Sequence, residues 1–233
     1  MTNTKQPLRW IGVLTLIQSF LIFVPMYILG DAIDWPNSLD FEPGVALPLI
    51  HDNLSAVRLG YGVYLVYSVA WVVVGAGLIW AVCGRGETLG PLAITAIALI
   101  CVSALARAIG IIRWLTASTH LAAAHRVGSP SEAYSIEQIQ AAVNAWGGAI
   151  GELLGVSLFA AAWLTCVSVL ILRSKWLPTW LGVSGLVAAV LLASPIVELF
   201  GFTASIAVAT SALHTWLLAA GVTLVWMAST RAD

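Results

Sequence analysis

Charge is what this sequence has least of. Only 9% of its 233 residues are charged, and ten basic against eleven acidic side chains leave a net charge of -1. Such a chain offers no basic face for nucleic acid and no polybasic arm for an anionic surface, so nucleic acid is excluded as a partner. Cysteine is scarce as well. Cys83, Cys101 and Cys166 fall at one span end and inside two spans, which implies no disulfide framework. The four histidines form neither an HExxH pattern nor a His-rich tract, and His120 and His125 have no carboxylate at ligand spacing beside them. No metal is therefore expected. His214 is the one histidine inside an apolar run, where a bis-histidine haem would need two, and no cofactor is expected. A phosphate-binding glycine loop, a serine-hydrolase elbow and an Asp-rich transferase motif are missing too.

What fills the chain instead is apolar: 60% of positions are hydrophobic. Continuous apolar runs cover about Leu8–Leu29, Ala56–Val82, Pro91–Trp114, Ala141–Leu172, Trp176–Phe200 and Phe202–Met227. Each reaches the roughly 20 residues that a helix needs to cross a bilayer. None alternates with a period of two, as barrel strands would. The expected fold is all-α, a polytopic membrane protein made of six transmembrane helices in a single domain spanning residues 1–233. Its first partner is the lipid bilayer, and nothing in the sequence specifies an oligomer. The first run is longer than a secretory h-region, and no small-x-small site follows Leu29, so it reads as an uncleaved anchor.

Basic residues orient the bundle. Lys5, Arg9, Arg85, Arg173, Lys175 and Arg231 fall on one side of the predicted membrane. Arg58 and Arg126 fall on the other, with Asp31, Asp34, Asp40, Glu42, Asp52, Glu132 and Glu137. The positive-inside rule then places both termini in the cytoplasm, with the protein in the cytoplasmic (inner) membrane. Trp10, Trp80, Trp176, Trp180 and Trp226 mark the inner interface, and Trp35 and Trp114 the outer one. Tyr61, Tyr64, Tyr67 and Trp71 read as anchors at the same outer interface, with the lining of an apolar pocket as the alternative. Two outer loops are long. Gly30–Ser55, with Pro36, Pro43 and Pro48, is expected to form an irregular cap, and Thr116–Gln138 a second loop.

Ionisable residues inside the spans are the informative exceptions, since each charge near the bilayer centre costs roughly 2.5–3.5 kcal/mol on insertion scales. They are Arg107 and Arg113 in the third span, Glu152 in the fourth, Glu198 in the fifth and His214 in the sixth. Their depths place all five in the outer half of the bundle, facing inward and toward one another. Asn144, Gly148 and Glu152 recur every four residues and form one polar stripe, while Gly147, Gly151 and Gly155 form an adjoining stripe on which another helix packs closely. Arg107 shares a face with Gly110 and Trp114 and is the expected partner of Glu152. Arg113 points elsewhere, and its long side chain is expected to reach the outer interface. The candidate ligand-binding residues are therefore Arg107, Arg113, Asn144, Glu152, Glu198 and His214.

The segments Asp34-Trp35-Pro36-Asn37-Ser38-Leu39-Asp40, Leu47-Pro48-Leu49-Ile50 and Ala56-Val57-Arg58-Leu59-Gly60-Tyr61 resemble the outer-loop signature of a family of small bacterial multi-pass membrane proteins, a domain of unknown function. Leu177-Pro178-Thr179-Trp180-Leu181-Gly182-Val183 resembles that family's boundary between its fourth and fifth spans. The resemblance covers most of the chain. It implies one six-helix domain and supplies no catalytic residues.

The functional expectation is an outward-leaning polar pocket within the membrane that binds or transports a small amphiphilic or anionic ligand. Two alternatives stand beside it. One is an intramembrane enzyme acting on a lipid or isoprenoid, with Glu152 or Glu198 as general acid. The other is a structural or regulatory partner in which the charges only fix helix register.

Overall fold

A computed structural model describes residues 5–83, 89–174 and 176–230. The sequence readings made on Arg85, Lys175 and Arg231, and on the side chain of Lys5, lie outside the described residues. The chain is all-α, 90% helical, with no strand among the described residues. Its helices are α1 (Lys5–Leu21), α2 (Phe23–Ile33), α3 (Pro43–Asp52), α4 (Leu54–Cys83), α5 (Pro91–Leu115), α6 (Ala117–Val127), α7 (Pro130–Gly148), α8 (Ala160–Ser174), α9 (Thr179–Ala193) and α10 (Ile206–Thr230). Ala149–Phe159 is π-helical and joins α7 to α8 without a break, and Ser194–Phe200 is a 3-10 segment that continues α9.

Among the described residues, six helical stretches are long and apolar enough to cross a membrane: Gln6–Ile33, Leu54–Cys83, Pro91–Val127, Pro130–Ser174, Thr179–Phe200 and Ile206–Thr230. Their outward faces are apolar, as at Val66, Val73, Leu105, Val183, Val190 and Val222, all of them exposed. In water such surface would be a liability; lipid is the solvent that covers it at no cost. Trp10, Trp80, Trp180 and Trp226 are exposed among them, as interfacial indoles are.

Both long loops turn out to be mostly helical. Pro43 opens α3 at a first-turn position, where its missing N–H costs nothing, and Asp34 closes α2 in the left-handed conformation (φ 56°). The second loop is a helical hairpin. Its turn lies at Gly128–Ser129, where the Ser129 backbone N–H and hydroxyl both donate to the Glu132 carboxylate, at 2.8 and 2.6 Å. Ser-Pro-Ser-Glu is a capping box with proline at the first helical position, so Pro130 starts a helix here. Pro130–Ser174 has 45 residues, about 67 Å of helix against a hydrocarbon core of about 30 Å, so much of it projects beyond the apolar layer.

The residues group into two compact units. The larger comprises Met1–Phe20, Val69–Leu105 and Leu153–Asp233, the smaller Leu21–Ser68 and Ala106–Glu152. In the larger unit α8, α9 and α10 pack around Trp163, whose ring lies 5.1 Å from that of Trp71 and 6.2 Å from that of Trp216. Glycines set the helix spacing there. A Cβ on Gly12 would stand 3.0 Å from the Gly221 carbonyl oxygen, and one on Gly185 would run into Ser168 Oγ and Trp216. The smaller unit has its own core of Leu29, Ile33, Leu47, Ile50, Val57, Tyr61, Ile111 and Trp114.

Of the aromatic residues placed at the outer interface by the sequence, Trp35 and Tyr64 are partly exposed, while the other four are buried within the protein. Trp114 stacks on Tyr61 at 5.0 Å with planes 6° apart, and Tyr61, Tyr67 and Trp71 are buried. Close-packed rings recover more dispersion and burial than an interfacial position would give them.

Candidate functional site

The smaller unit brings Arg113, Asn144 and Glu152 together at one helix crossing. Gly110 of α5 and Gly151 of the π-helical segment meet backbone to backbone: a Cβ on Gly110 would lie 2.6 Å from the Gly151 Cα. One turn further along α5, Arg113 lies across Gly147, where any side chain would collide with its Cδ. The glycines expected to serve packing therefore also open the slot that an arginine fills.

Inside that slot Arg113 Nη1 donates to the Gly110 carbonyl at 2.8 Å. Its Nη2 donates to Asn144 Oδ1 at 3.2 Å and to Glu152 Oε1 at 3.3 Å. The guanidinium carbon stands 5.4 Å from the centre of the Trp114 ring. A buried cation thus has a carboxylate, an amide, a carbonyl and an aromatic face around it, which is the compensation that a charge away from water requires. Asn144 carries the network onward, its Nδ2 donating to the Leu39 carbonyl at 2.9 Å. Residues 105 positions apart are tied by that one amide.

Asn144 also lines a cleft of about 220 Å³ between α7, the segment after Ser38 and the start of α3. Gln140, Ala141 and Ala145 form its α7 wall, Trp114 lies at its back, and Ser38, Asp40 and Glu42 come from the connecting segment. At about 30 Å³ per water in the liquid, that is room for roughly seven waters or one polar head group. Close by in the same unit, His125 Nε2 lies 2.9 Å from Glu137 Oε1, and Gln140 Nε2 donates to Ser118 Oγ at 3.2 Å.

Three of the six expected site residues, Arg113, Asn144 and Glu152, are brought together. The expectation for Arg113 is corrected: it does not reach for the interface but turns inward to Glu152, its side chain 8% exposed. The cause is the glycine-lined crossing, which leaves room over Gly147 that an ideal-helix projection does not show. Arg107 is buried in the same unit. Glu198 is a second correction. It lies exposed in the 3-10 segment after Pro195 rather than facing the interior, because the helix tightens there and rotates its side chains away from the α-helical register. His214, in α10 of the larger unit, is half-buried with Nδ1 2.7 Å from the Thr210 carbonyl oxygen one turn back. His120 Nδ1 is similarly placed, 2.8 Å from the Thr116 carbonyl oxygen. No group of three metal-ligating side chains occurs among the described residues.

Gln140, Ser38 and Trp114 escaped the sequence reading as site residues. The signal for Gln140 was available: it precedes Asn144 by four residues and extends the Asn144–Gly148–Glu152 stripe by one turn. Gln140 falls between the predicted loop, which ends at Gln138, and the predicted span, which begins at Ala141.

Six apolar helices and a surface fit for lipid define an integral, multi-pass membrane protein. The chain belongs to the family described as Domain of unknown function (DUF4386), whose model matches residues 10–225. No curated protein and no solved structure matches it.

Proposed function

We propose that this chain binds a small amphiphilic molecule in the cleft of its smaller unit, with the head group among the polar side chains and the apolar part toward lipid. The observation that carries the reading is Asn144, held on one side by Arg113 and on the other by the Leu39 carbonyl, and facing the cleft between them. An amide fixed at both ends has a defined orientation before any ligand arrives, which lowers the ordering cost of binding. Glu152 neutralises Arg113 and so keeps the support in place. A device for helix register alone would need the ion pair but not the cleft beside it.

In this reading residues 1–233 act as one domain, since the family match runs through the segments of both units. The positive-inside rule supports a topology with the termini and Cys83 in the cytoplasm and the cleft on the outer side of the cytoplasmic membrane. A membrane-impermeant thiol reagent should then label Cys83 in inverted vesicles and leave it unlabelled in intact cells; the opposite pattern reverses the topology.

The binding reading is tested by thermal unfolding of the protein in phosphatidylcholine nanodiscs with anionic, neutral and cationic short-chain amphiphiles. A ligand that binds only the folded state raises the melting temperature by mass action. At least one class should do so saturably, and Ala145→Phe, which fills the cleft from an exposed position, should abolish the shift. If no class shifts the transition, the cleft is not a ligand site and the charged network is a register device.

A further inference from the structure

Resting on that binding site, we infer that its ligand carries a cationic, hydrogen-bond-donating head group, of the primary ammonium kind, rather than an anionic one. The two arginines in the span favoured an anion when only the sequence was read. Neither lines the cleft. Arg113 is committed to Gly110, Asn144 and Glu152. What does line the cleft is acidic: Asp40 and Glu42 stand at its exposed mouth, and no lining side chain is basic.

A pair of exposed acids is not a site, and two further observations turn it into one. Gln140 and Ser38 both line the cleft and are 2% and 3% exposed, yet Gln140 Oε1 and Ser38 Oγ have no hydrogen-bond partner among the described residues. A buried polar atom without a partner costs free energy unless a ligand or water satisfies it. The amide oxygen of Gln140 carries no hydrogen and accepts only, and the bond from Nε2 to Ser118 Oγ fixes which end of the amide is left over. The missing group is therefore a donor. Two carboxylates and an unpaired carbonyl oxygen select the same chemistry. An ammonium offers three donors to them, and an alcohol only one.

The test compares n-hexylammonium, n-hexanol and n-hexanoate, equal in chain and different in head, by calorimetric titration of the protein in phosphatidylcholine nanodiscs. Hexylammonium should bind at least about fivefold more tightly than hexanol, the advantage expected of two partly exposed ion pairs. Asp40→Asn with Glu42→Gln should reduce that preference to within about twofold without changing the melting temperature, since both side chains are exposed. Gln140→Leu should weaken hexylammonium more than hexanol. Ala145→Phe should remove binding of all three. Hexanoate binding as tightly as hexylammonium, or a preference that survives Asp40→Asn/Glu42→Gln, overturns the head-group assignment while leaving an amphiphile site. Binding of none of the three, or binding unaffected by Ala145→Phe, overturns the site itself.

Discussion

Both units turn polar groups back onto their own helices, in the smaller one at Thr116, Thr119 and His120, but they differ in what crosses between helices. In the larger unit they mostly turn back onto their own helix: Thr15 onto the Ile11 carbonyl at 2.7 Å, Thr165 onto Ala161 at 2.9 Å, Thr223 onto Ala219 at 2.7 Å. Bonds that cross between helices there, Ser103 to the Gly155 carbonyl and Trp216 Nε1 to the Leu181 carbonyl, end on backbone. In the smaller unit side chains from distant segments meet one another: Arg113 with Glu152 and Asn144, Gln140 with Ser118, His125 with Glu137. Locally satisfied hydroxyls leave a smooth apolar helix that packs by shape. A network of long side chains keeps groups at fixed positions and leaves some of them unfilled. The first solution builds a scaffold and the second a site.

The contrast is broken most severely at the ion pair. Glu152→Gln strands the Arg113 guanidinium in the interior and should cost roughly 3–5 kcal/mol, whereas Arg113→Met with Glu152→Gln removes both charges and should recover most of the loss. Additive losses in a chemical or thermal unfolding series would mean that the two side chains are not coupled. The backbone crossing comes next. Gly110→Ala drives a Cβ into the Gly151 backbone and should cost about 1–3 kcal/mol, through strain that no rotamer relieves. Gly77→Ala in the larger unit meets only the Ile11 side chain, at 3.3 Å, and its helix-propensity gain should hold the net change below about 1 kcal/mol. Equal effects would show that the two crossings are equally tight. The smallest effect on amphiphile binding is expected from Trp216→Phe. It gives up one hydrogen bond to Leu181, about 1 kcal/mol, together with part of a buried ring, and should leave binding unchanged because Trp216 belongs to the scaffold.

The sequence made the six spans legible because a long apolar run has one reading in a bilayer. It made the Asn144–Gly148–Glu152 stripe legible because a period of four survives the passage from α-helix into the π-helical turn. The inward turn of Arg113 was out of its reach. Wheel geometry gives the direction of a Cβ, and the end of an arginine side chain goes where a neighbouring helix leaves room, here over Gly147. Glu198 was misplaced because Pro195 changes the local helix type, and the α6–α7 hairpin because its Gly128 and Pro130 were read as loop residues when Ser129 and Glu132 already formed a cap. The cleft depends on Leu39 and Asn144 meeting across 105 residues. No local pattern encodes that meeting.

In the proposed reading the smaller unit binds the amphiphile and the larger unit contributes no residue to the site. Mass spectrometry of the small molecules retained through purification tests it most directly, with wild type, Ala145→Phe and Trp216→Phe prepared in parallel. An amphiphile bearing a cationic head should be present in the wild type and in Trp216→Phe, and absent from Ala145→Phe. The same retained molecules in all three preparations, or their loss from Trp216→Phe alone, would contradict the account.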